Sequence, residues 1–377
     1  MNDKVDLSFA DVQERYRTKH VHRLHPYLGK FIPQLVEWFL RRYFTPGQTI
    51  IDPFVGSGTT LVEADALGIN CEGIDISPWN CLIAEVKIAR YDLDLLQKEI
   101  LDALYRVKAF SHSAYNNAQL VLPSFTETIY PLTTDSEYLK NWYSERARQE
   151  ILFYKSIIPG YHYKKVLMII LSRAARSARL ITHYDLARPT KPIQGEYYCI
   201  KHRRICHTVD EALKFIEHYS LDTITRLTQF ARIRNGTSIR IHCADSRKIQ
   251  LDREFDGIFT SPPYVGMIDY HETHRYAYEL FPEVARRDAE EIGKPSKGRG
   301  RKGQEEYKSD IVAVLKNTPL KKGAHVFIVA NDSLNLYPEI AQRSGLEIVE
   351  TYNRPVLKRT ERNHVRYSER VFHMIKL

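Results

Sequence analysis

The order of apolar and polar positions predicts helices alternating with short strands. Residues 32–42 repeat apolar side chains at helical spacing, and a β-branched strand follows at 49–52. That strand enters a glycine-rich turn at 55–58, and a helix then runs to Gly68, a residue that favours helix C-termini. Residues 71–76 form the next strand, which ends in an acid. This order predicts a βαβ unit.

The middle of the chain has mainly helical periodicity. Residues 80–110, 141–187 and 209–233 repeat apolar positions as helices do, whereas 111–140 is polar and irregular. Residues 188–208 contain prolines, a glycine and paired tyrosines, which predict a loop or a small β element. The sequence therefore predicts a helical segment of considerable length after the βαβ unit.

Strand patterns return in the last third of the chain, at 238–245, 255–261, 325–332, 347–354 and 370–377. They predict an α/β fold, a Rossmann-like sheet with helices on both faces and a large, mainly helical insertion between its second and third strands. The corresponding parts are two segments of one α/β domain, 1–91 and 236–377, and the insertion between them, 92–235.

Composition and charge narrow the class of protein. The net charge of +9 fits a polyanionic partner such as nucleic acid, although an ordinary basic protein has the same charge. The basic residues are clustered, at Arg173, Arg176, Arg179 and Arg188, at Lys201, Arg203 and Arg204, and at Lys294, Lys297, Arg299, Arg301 and Lys302.

Location is predicted from what the sequence lacks. No run of 18 apolar residues exists, so no membrane span is predicted, and the charged N-terminus does not resemble a secretory signal. Five cysteines are too few for a disulfide framework and odd in number. We expect a cytoplasmic protein.

The first chemical motif is the turn Asp52-Pro-Phe54-Val-Gly56-Ser-Gly58-Thr59-Thr60. Glycines after a strand let a ligand approach the backbone, and the following helix offers free amide groups. A dinucleotide site would favour three glycines spaced as G-x-G-x-x-G, which are not found here. The acid after the next strand, Asp75, is placed to accept ribose hydroxyls, or alternatively to cap a helix.

The second motif is Thr260-Ser261-Pro262-Pro263-Tyr264, at the predicted carboxyl end of a strand. One reaction that suits this motif is group transfer to the exocyclic amine of a base. The lone pair of that amine is conjugated with the ring, so the nitrogen is a poor nucleophile. Ser261 Oγ and the Pro262 carbonyl can accept the amine protons and free the lone pair, and Tyr264 can stack on a flipped base. Such catalysis relies on positioning and electrostatics.

These motifs resemble those of the cytosine-N(4) and adenine-N(6) DNA methyltransferases, over residues 20–90 and 236–377. The resemblance implies a class I methyltransferase fold and S-adenosylmethionine as cofactor. It implies catalytic roles for Ser261, Pro262, Pro263 and Tyr264, and cofactor contacts by Asp52, Phe54, Gly56, Gly58, Thr59, Asp75, Asp245, His25 and Lys30. Within this set, Asp52 and the glycines hold the methionine end, Asp75 the ribose and Asp245 the adenine.

The target predicted by resemblance is cytosine N4 in double-stranded DNA with a flipped base, in a restriction-modification system with a paired endonuclease. Ser261 is typical of the cytosine enzymes, whereas aspartate would favour adenine. Carbon-5 methylation is excluded because no cysteine follows a proline. Adenine-N6, RNA guanine-N2 and protein-glutamine methylation are alternatives, as is an inactive nucleic-acid-binding fold.

For several other parts of the chain, the sequence allows two interpretations. The insertion, with its basic helix at 171–180, is suited either to target recognition or only to packing. Asp269, Tyr270 and Arg275 either shape the base pocket or belong to the core and a helix surface. Four residues of the types that bind zinc lie close together in the sequence: Cys199, His202, Cys206 and His207. Their spacing is unlike that of common zinc fingers, so separate roles are favoured and no metal is predicted.

Overall fold

The computed structural model describes residues 6–27, 31–115, 132–183, 189–287, 290–331, 333–356 and 367–377. The predicted cofactor residue Lys30 lies outside this set. None of the helices in the described ranges is long and apolar enough to cross a membrane.

Seven strands form one sheet and two form a separate hairpin in the described residues. They are β1 (Thr49–Asp52), β2 (Asn70–Asp75), β3 (Glu196–Cys199), β4 (Arg204–His207), β5 (Ile239–Cys243), β6 (Phe255–Thr260), β7 (Leu320–Ala330), β8 (Leu346–Val356) and β9 (Tyr367–Lys376).

The helices are α1 (Glu14–Arg17), α2 (Pro33–Tyr43), α3 (Thr59–Ala66), α4 (Pro78–Ile88), α5 (Leu93–Tyr115), α6 (Glu137–Trp142), α7 (Glu145–Ile157), α8 (Lys164–Ser177), α9 (Leu213–Ala231), α10 (Tyr270–Thr273), α11 (Arg275–Leu280), α12 (Arg301–Asn317) and α13 (Tyr337–Ser344). Local sequence begins several of them. Ser77, Ser136 and Ser144 each accept a hydrogen bond from the first turn of the following helix.

The sheet order is β5-β2-β1-β6-β7-β9-β8, and β9 runs antiparallel to both of its neighbours. The chain moves outward from β1 through β2 to β5, then returns to the other side of β1 with β6. The order therefore reverses between β1 and β6, which is where open α/β sheets bind ligands. This arrangement confirms the predicted Rossmann-like class I methyltransferase fold.

Apolar side chains on the two faces of the sheet enter different cores. Ile50 packs with α2 and α3, whereas its neighbour Ile51 packs with α12 and α13. Helices consequently cover both faces, as the sequence predicts.

The helical insertion falls between β2 and β5, the second and third strands of the sheet, as predicted. Its helices α5, α7, α8 and α9 share a continuous apolar core with α4 and α11 of the sheet-bearing part. The β3–β4 hairpin lies in this insertion, within the stretch predicted as a loop or small β element. The helical pattern predicted from 141 to 187 is divided among α6, α7 and α8, because Ser144 begins α7 and the 158–160 turn separates α7 from α8. The prediction is wrong for residues 178–183, since α8 ends at Ser177.

Candidate functional site

An open pocket of about 560 Å³ lies at the carboxyl ends of β1, β2, β5 and β6. It is therefore at the point where the strand order reverses. Its lining residues are Tyr27, Pro53, Phe54, Asp75, Ile76, Ser77, Asn80, Asp245, Ser246, Ser261, Pro263, Tyr270, Glu290, Glu291 and Ile292.

The glycine turn requires glycine at two positions. Gly56 has φ +49° and Gly58 has φ +80°, a region that side chains disfavour. A Cβ on Gly56 would lie 2.8 Å from the hydroxyl of Tyr27, and one on Gly58 would lie 3.0 Å from Cβ of Ala84. Both strain and close contact thus keep this turn free of side chains.

Asp52 fastens the glycine turn to the strand that precedes the SPPY motif. Its Oδ1 accepts hydrogen bonds from the Thr260 hydroxyl (2.6 Å) and the Phe54 amide (3.1 Å), and its Oδ2 accepts one from the Thr60 hydroxyl (2.6 Å). Burial raises the pKa of Asp52 to about 6. Asp52 does not line the pocket; its hydrogen bonds hold together the two motifs that do.

Asp75 lines the pocket and has acceptor capacity left. Its Oδ1 accepts from the Ser77 amide (2.8 Å) and from Asn80 Nδ2 (3.1 Å), and its Oδ2 accepts from the Gly56 amide (2.9 Å). Burial raises its pKa to about 6. A carboxylate has about four lone-pair sites, so one remains for a ligand hydroxyl. Asp75 can therefore both bind a ribose hydroxyl and help to begin a helix, the two roles that the sequence left open. Its hydrogen bond from the Ser77 amide holds the residue that caps α4.

Asp245 lines the same pocket from the end of β5. The side chain of Arg247 donates to both of its carboxylate oxygens, at 2.8 to 3.2 Å, and also to Asp310 and the Glu290 carbonyl. Burial alone would raise the pKa of Asp245, but the Arg247 hydrogen bonds hold it below its usual value. Arg247 thereby connects β5 to the segment that carries Glu290 and Glu291.

The SPPY motif continues directly from β6 and divides between two environments. Ser261 and Pro263 line the pocket, and Pro262 is buried. Tyr264 lies outside the lining set, and its hydroxyl donates to Glu369 Oε1 at 2.9 Å. Glu369 is buried in β9 and is paired with Arg354 of β8. The Tyr264 ring is consequently anchored to the antiparallel edge of the sheet.

The predicted residue His25 lies behind the pocket. It is fully buried against Trp79, His274 and Tyr276, and burial lowers its pKa well below the usual value. Thr59 is likewise buried, in the first turn of α3. Of the predicted cofactor residues, Phe54, Asp75 and Asp245 line the pocket.

Two tyrosines in the lining set were not predicted as cofactor residues. Tyr27 stacks on Tyr270, with ring centroids 5.7 Å apart and an angle of 20°. Tyr27 also lies against Gly56, which places its ring next to the glycine turn. The signal that could have found Tyr27 is its position between His25 and Lys30, both of which the family resemblance implied as cofactor contacts. Tyr270 was named only as a candidate for the base pocket.

The pocket suits a cationic ligand with hydroxyl and amino groups. Four carboxylates line it, from Asp75, Asp245, Glu290 and Glu291, and none of its described lining residues is Lys, Arg or His. Arg247 pairs with Asp245 and Arg287 pairs with Glu290, so the negative charge available to a ligand comes mainly from Asp75 and Glu291. Two buried lining atoms, Glu291 Oε2 and Asn80 Oδ1, have no hydrogen-bond partner within the described residues. Unpaired buried acceptors are costly, and ligand N–H or O–H groups would satisfy them. The residues therefore fit S-adenosylmethionine and disfavour the pyrophosphate of a dinucleotide.

For residues 171–180 the sequence left target recognition and packing open, and two arginines of this stretch are packed in the interior. Arg173 is 5% exposed, pairs with Asp222 at 2.7 Å and lies 4.1 Å from the ring centre of Tyr219. Arg179 is also 5% exposed and packs over Tyr276. These side chains stabilise the interior of the insertion and are unavailable to DNA.

The aromatic stretch after SPPY contributes to two sites. Asp269 caps α10, accepting from the Glu272 amide at 2.8 Å, and it lines a second cleft beside α6. Arg275 forms 3.4 Å contacts with Glu272 and Glu279 on the helix surface. Tyr270 alone of the three lines the main pocket.

The comparisons with known proteins agree with this site. A family model described as a DNA methylase, of the N6/N4 type, matches residues 7–86. The type II methyltransferase M.MjaII of Methanocaldococcus jannaschii is 43% identical, covering 98% of this chain and 83% of that protein. The type II methyltransferase M.BsoBI of Geobacillus stearothermophilus is 28% identical over 70% of this chain and 53% of its own.

Among solved structures, the rRNA methyltransferase aviRa of Streptomyces viridochromogenes aligns with 93% of this chain and 88% of its own, at 11% identity and a TM-score of 0.34. The fold assignment rests on the strand order of this chain.

Proposed function

The chain belongs to the N6/N4 family of DNA methylases, and on that premise we propose that it methylates the exocyclic N4 of cytosine in double-stranded DNA. The observation that carries the proposal is one shared pocket. The cofactor side is formed by Phe54, Asp75 and Asp245, and the SPPY motif contributes Ser261 and Pro263 to the same lining. Methyl donor and acceptor amine can thus meet without movement of the sheet.

S-adenosylmethionine is the cofactor, and when bound it supplies an electrophilic methyl group on a sulfonium ion. The protein's part is to hold and orient it. We assign one ribose hydroxyl to the remaining acceptor site of Asp75, with Asn80 Oδ1 as a neighbouring acceptor. The unpaired Glu291 Oε2 is a third acceptor, and the carboxylates as a group favour positive charge in the pocket.

The acceptor amine would be activated by hydrogen bonds alone. Ser261 Oγ and the Pro262 carbonyl accept hydrogen bonds from the two amine N–H groups, which draws the nitrogen toward tetrahedral geometry and directs its lone pair at the methyl group. As the new N–C bond forms, the methyl group would leave the sulfonium sulfur and the nitrogen would release one proton to water. Thr260 is fixed by its 2.6 Å bond to Asp52, and the prolines restrict the backbone that follows. The acceptors are therefore preorganised before DNA arrives.

Tyr264 would form the surface on which the flipped cytosine stacks. Its hydroxyl bond to Glu369 fixes the direction of the ring, so little conformational freedom is lost on binding a base. Flipping is required because an amine inside the duplex cannot reach the pocket.

Cytosine is proposed over adenine because serine opens the SPPY motif. Adenine-N6 shares the same chemistry and the same family, so the base is decided by experiment.

DNA contacts outside the pocket are proposed for the insertion, residues 92–235. The turn of the β3–β4 hairpin exposes Lys201, Arg203 and Arg204 together, in contrast to the buried arginines of α8. Exposed cations of this kind contact phosphates and position the protein on the duplex. Protection of DNA from a paired endonuclease is the biological role that follows.

The proposal is tested by mass spectrometry of nucleosides from duplex DNA incubated with the protein and S-adenosylmethionine, with RNA in parallel. We expect N(4)-methyldeoxycytidine in DNA and no label in RNA. N(6)-methyldeoxyadenosine would keep the mechanism and overturn the assignment of the base. Methylation of RNA alone would overturn DNA as the substrate.

A further inference from the structure

Four side chains with metal-binding atoms meet at the β3–β4 hairpin. They are His183, Cys199, His202 and Cys206, and one nitrogen or sulfur atom of each lies within 4.8 Å of all the others. Both cysteines are buried and free of disulfides. We propose that this cluster binds one structural Zn²⁺ ion.

Two nitrogen–sulfur separations in the cluster match the edges of a zinc tetrahedron. Cys199 Sγ lies 3.7 Å from His183 Nδ1, and Cys206 Sγ lies 3.5 Å from His202 Nδ1. Zn–S and Zn–N bonds at a tetrahedral angle give a nitrogen–sulfur edge of about 3.6 Å. Separations nearer the 4.8 Å limit would have to shorten by about 1 Å, which small rotations of exposed histidine side chains allow.

The fourth ligand in the structure differs from the one in the sequence set. His207 follows Cys206 directly, but its ring is 73% exposed and lies 3.6 Å from Glu196, away from the cluster. His183 takes this place from the segment after α8. The Tyr197 hydroxyl is 2.9 Å from His183 Nδ1 and accepts from the His183 amide at 3.0 Å, so it keeps a partner when zinc takes that nitrogen.

The hairpin needs such a crosslink more than other parts of the fold do. Two-stranded hairpins are marginally stable in water, and this one exposes 60% of Tyr198, 67% of Ile200 and 55% of Ile205. A metal held by β3, β4, their turn and the segment after α8 would join the hairpin to the helical part of the insertion.

The charges also fit. Two thiolate ligands neutralise the charge of one Zn²⁺ ion. With four protein ligands the site has no open position, as is typical of structural rather than catalytic zinc. Bound metal would hold the exposed basic turn in one orientation.

The first test is metal analysis of the full chain, purified without a histidine tag and dialysed against metal-free buffer. We expect about one zinc per chain in the wild type and in the control His207→Ala, which removes an exposed hairpin histidine outside the cluster. The double variant Cys199→Ser/Cys206→Ser and the variant His183→Ala should lose this zinc. Zinc retained by the double variant would overturn the assignment and direct attention to the buried group His20, His22 and Glu63.

A second measurement avoids any folding defect of the variants. Wild-type protein treated with chelator and titrated with Co²⁺ should show the intense visible bands of tetrahedral cobalt and a thiolate charge-transfer band at one equivalent. Protein without zinc, without these bands, or with a Cys199–Cys206 disulfide would overturn the proposal.

Discussion

At the residue scale, much of the site is built by side chains that position the backbone. Asp52 is the clearest case, because all three of its hydrogen bonds go to the protein: Thr60, Thr260 and the Phe54 amide. The buried Lys87 similarly donates to the Ser57 carbonyl at 2.5 Å and supports the glycine turn from α4. Because such residues hold the backbone of the glycine turn in place, their loss should disturb that turn.

Gly56→Ala should weaken cofactor binding by about tenfold or more, since about 1.4 kcal/mol suffices for a tenfold change. The new Cβ would combine a positive φ with a 2.8 Å contact to Tyr27. Calorimetric titration with S-adenosylmethionine measures the effect. Gly47→Ala is the matched control, because Gly47 also has a positive φ, +90°, but has open space around it and lies before β1. Equal affinities in the two variants would contradict the role of the close contact.

Cofactor affinity should fall as the pH drops from 7 to 5. Burial raises the pKa of Asp75 to about 6, so protonation in this range removes an acceptor and a negative charge from the pocket. One such group gives at most about a tenfold change in the dissociation constant per pH unit. Without cofactor, the raised pKa of Asp75 has the opposite effect on folding stability. The contribution of Asp75 to the free energy of unfolding is largest at low pH and is lost as the pH rises through about 6.

Calorimetry at a series of pH values checks this expectation, with Asp75→Asn as the comparison. The variant should bind weakly at pH 7 and depend less on pH. A wild-type dissociation constant that stays constant from pH 5 to 7 would contradict the role given to Asp75.

At the scale of elements, the antiparallel edge of the sheet supports the SPPY motif. Tyr264 follows β6, yet its hydroxyl bond goes to Glu369 of β9, which is paired with Arg354 of β8. The order β6-β7-β9-β8 therefore brings the end of the chain to the active-site edge.

Replacing Tyr264 distinguishes the ring from its anchor. Loss of base stacking costs about 1–3 kcal/mol, so Tyr264→Ala should weaken productive DNA binding by about 5- to 150-fold. Tyr264→Phe retains the ring, loses the bond to Glu369 and should show a smaller defect. Steady-state methylation with varied DNA measures both; a Tyr264→Ala variant that matches the wild type would contradict stacking.

The strands and the two motifs were predictable because their signals are local. The β-branched run of β1, the glycine turn and the Ser77-Pro78 start of α4 each specify structure within a few residues. The burial of Arg173 was not predictable from the sequence, because helical periodicity does not show that Asp222 and Tyr219 from α9 cover its side chain.

The unpredicted site residues depend on contacts between distant segments. Glu290 and Glu291 lie in a polar stretch without a pattern, and Arg247 from the end of β5 brings that stretch to the pocket. His183 precedes Cys199 by 16 residues and joins the cysteine cluster only after the hairpin folds back on the segment after α8. Neither of these contacts can be predicted from the spacing of residues along the chain.

At the scale of the whole molecule, the insertion and the sheet are packed as one body around the reaction site. The shared core of α4, α8 and α11 places the insertion beside the edge at which β1, β2 and β6 end. The pocket is lined by Phe54, Asp75 and Asp245 at the strand ends and by Tyr270, the first residue of α10, whose ring stacks on that of Tyr27.

Separating cofactor binding from methyl transfer in one variant tests this arrangement most directly. In Ser261→Ala the transfer rate at saturating S-adenosylmethionine and DNA should fall by about 10²–10³-fold, as for loss of one hydrogen-bonding group that acts in the transition state. Its dissociation constant for the cofactor should stay close to that of the wild type, because Asp75, Asp245 and the glycine turn are unchanged. A normal rate, or a lost rate fully explained by lost cofactor binding, would contradict the proposed role of the SPPY serine.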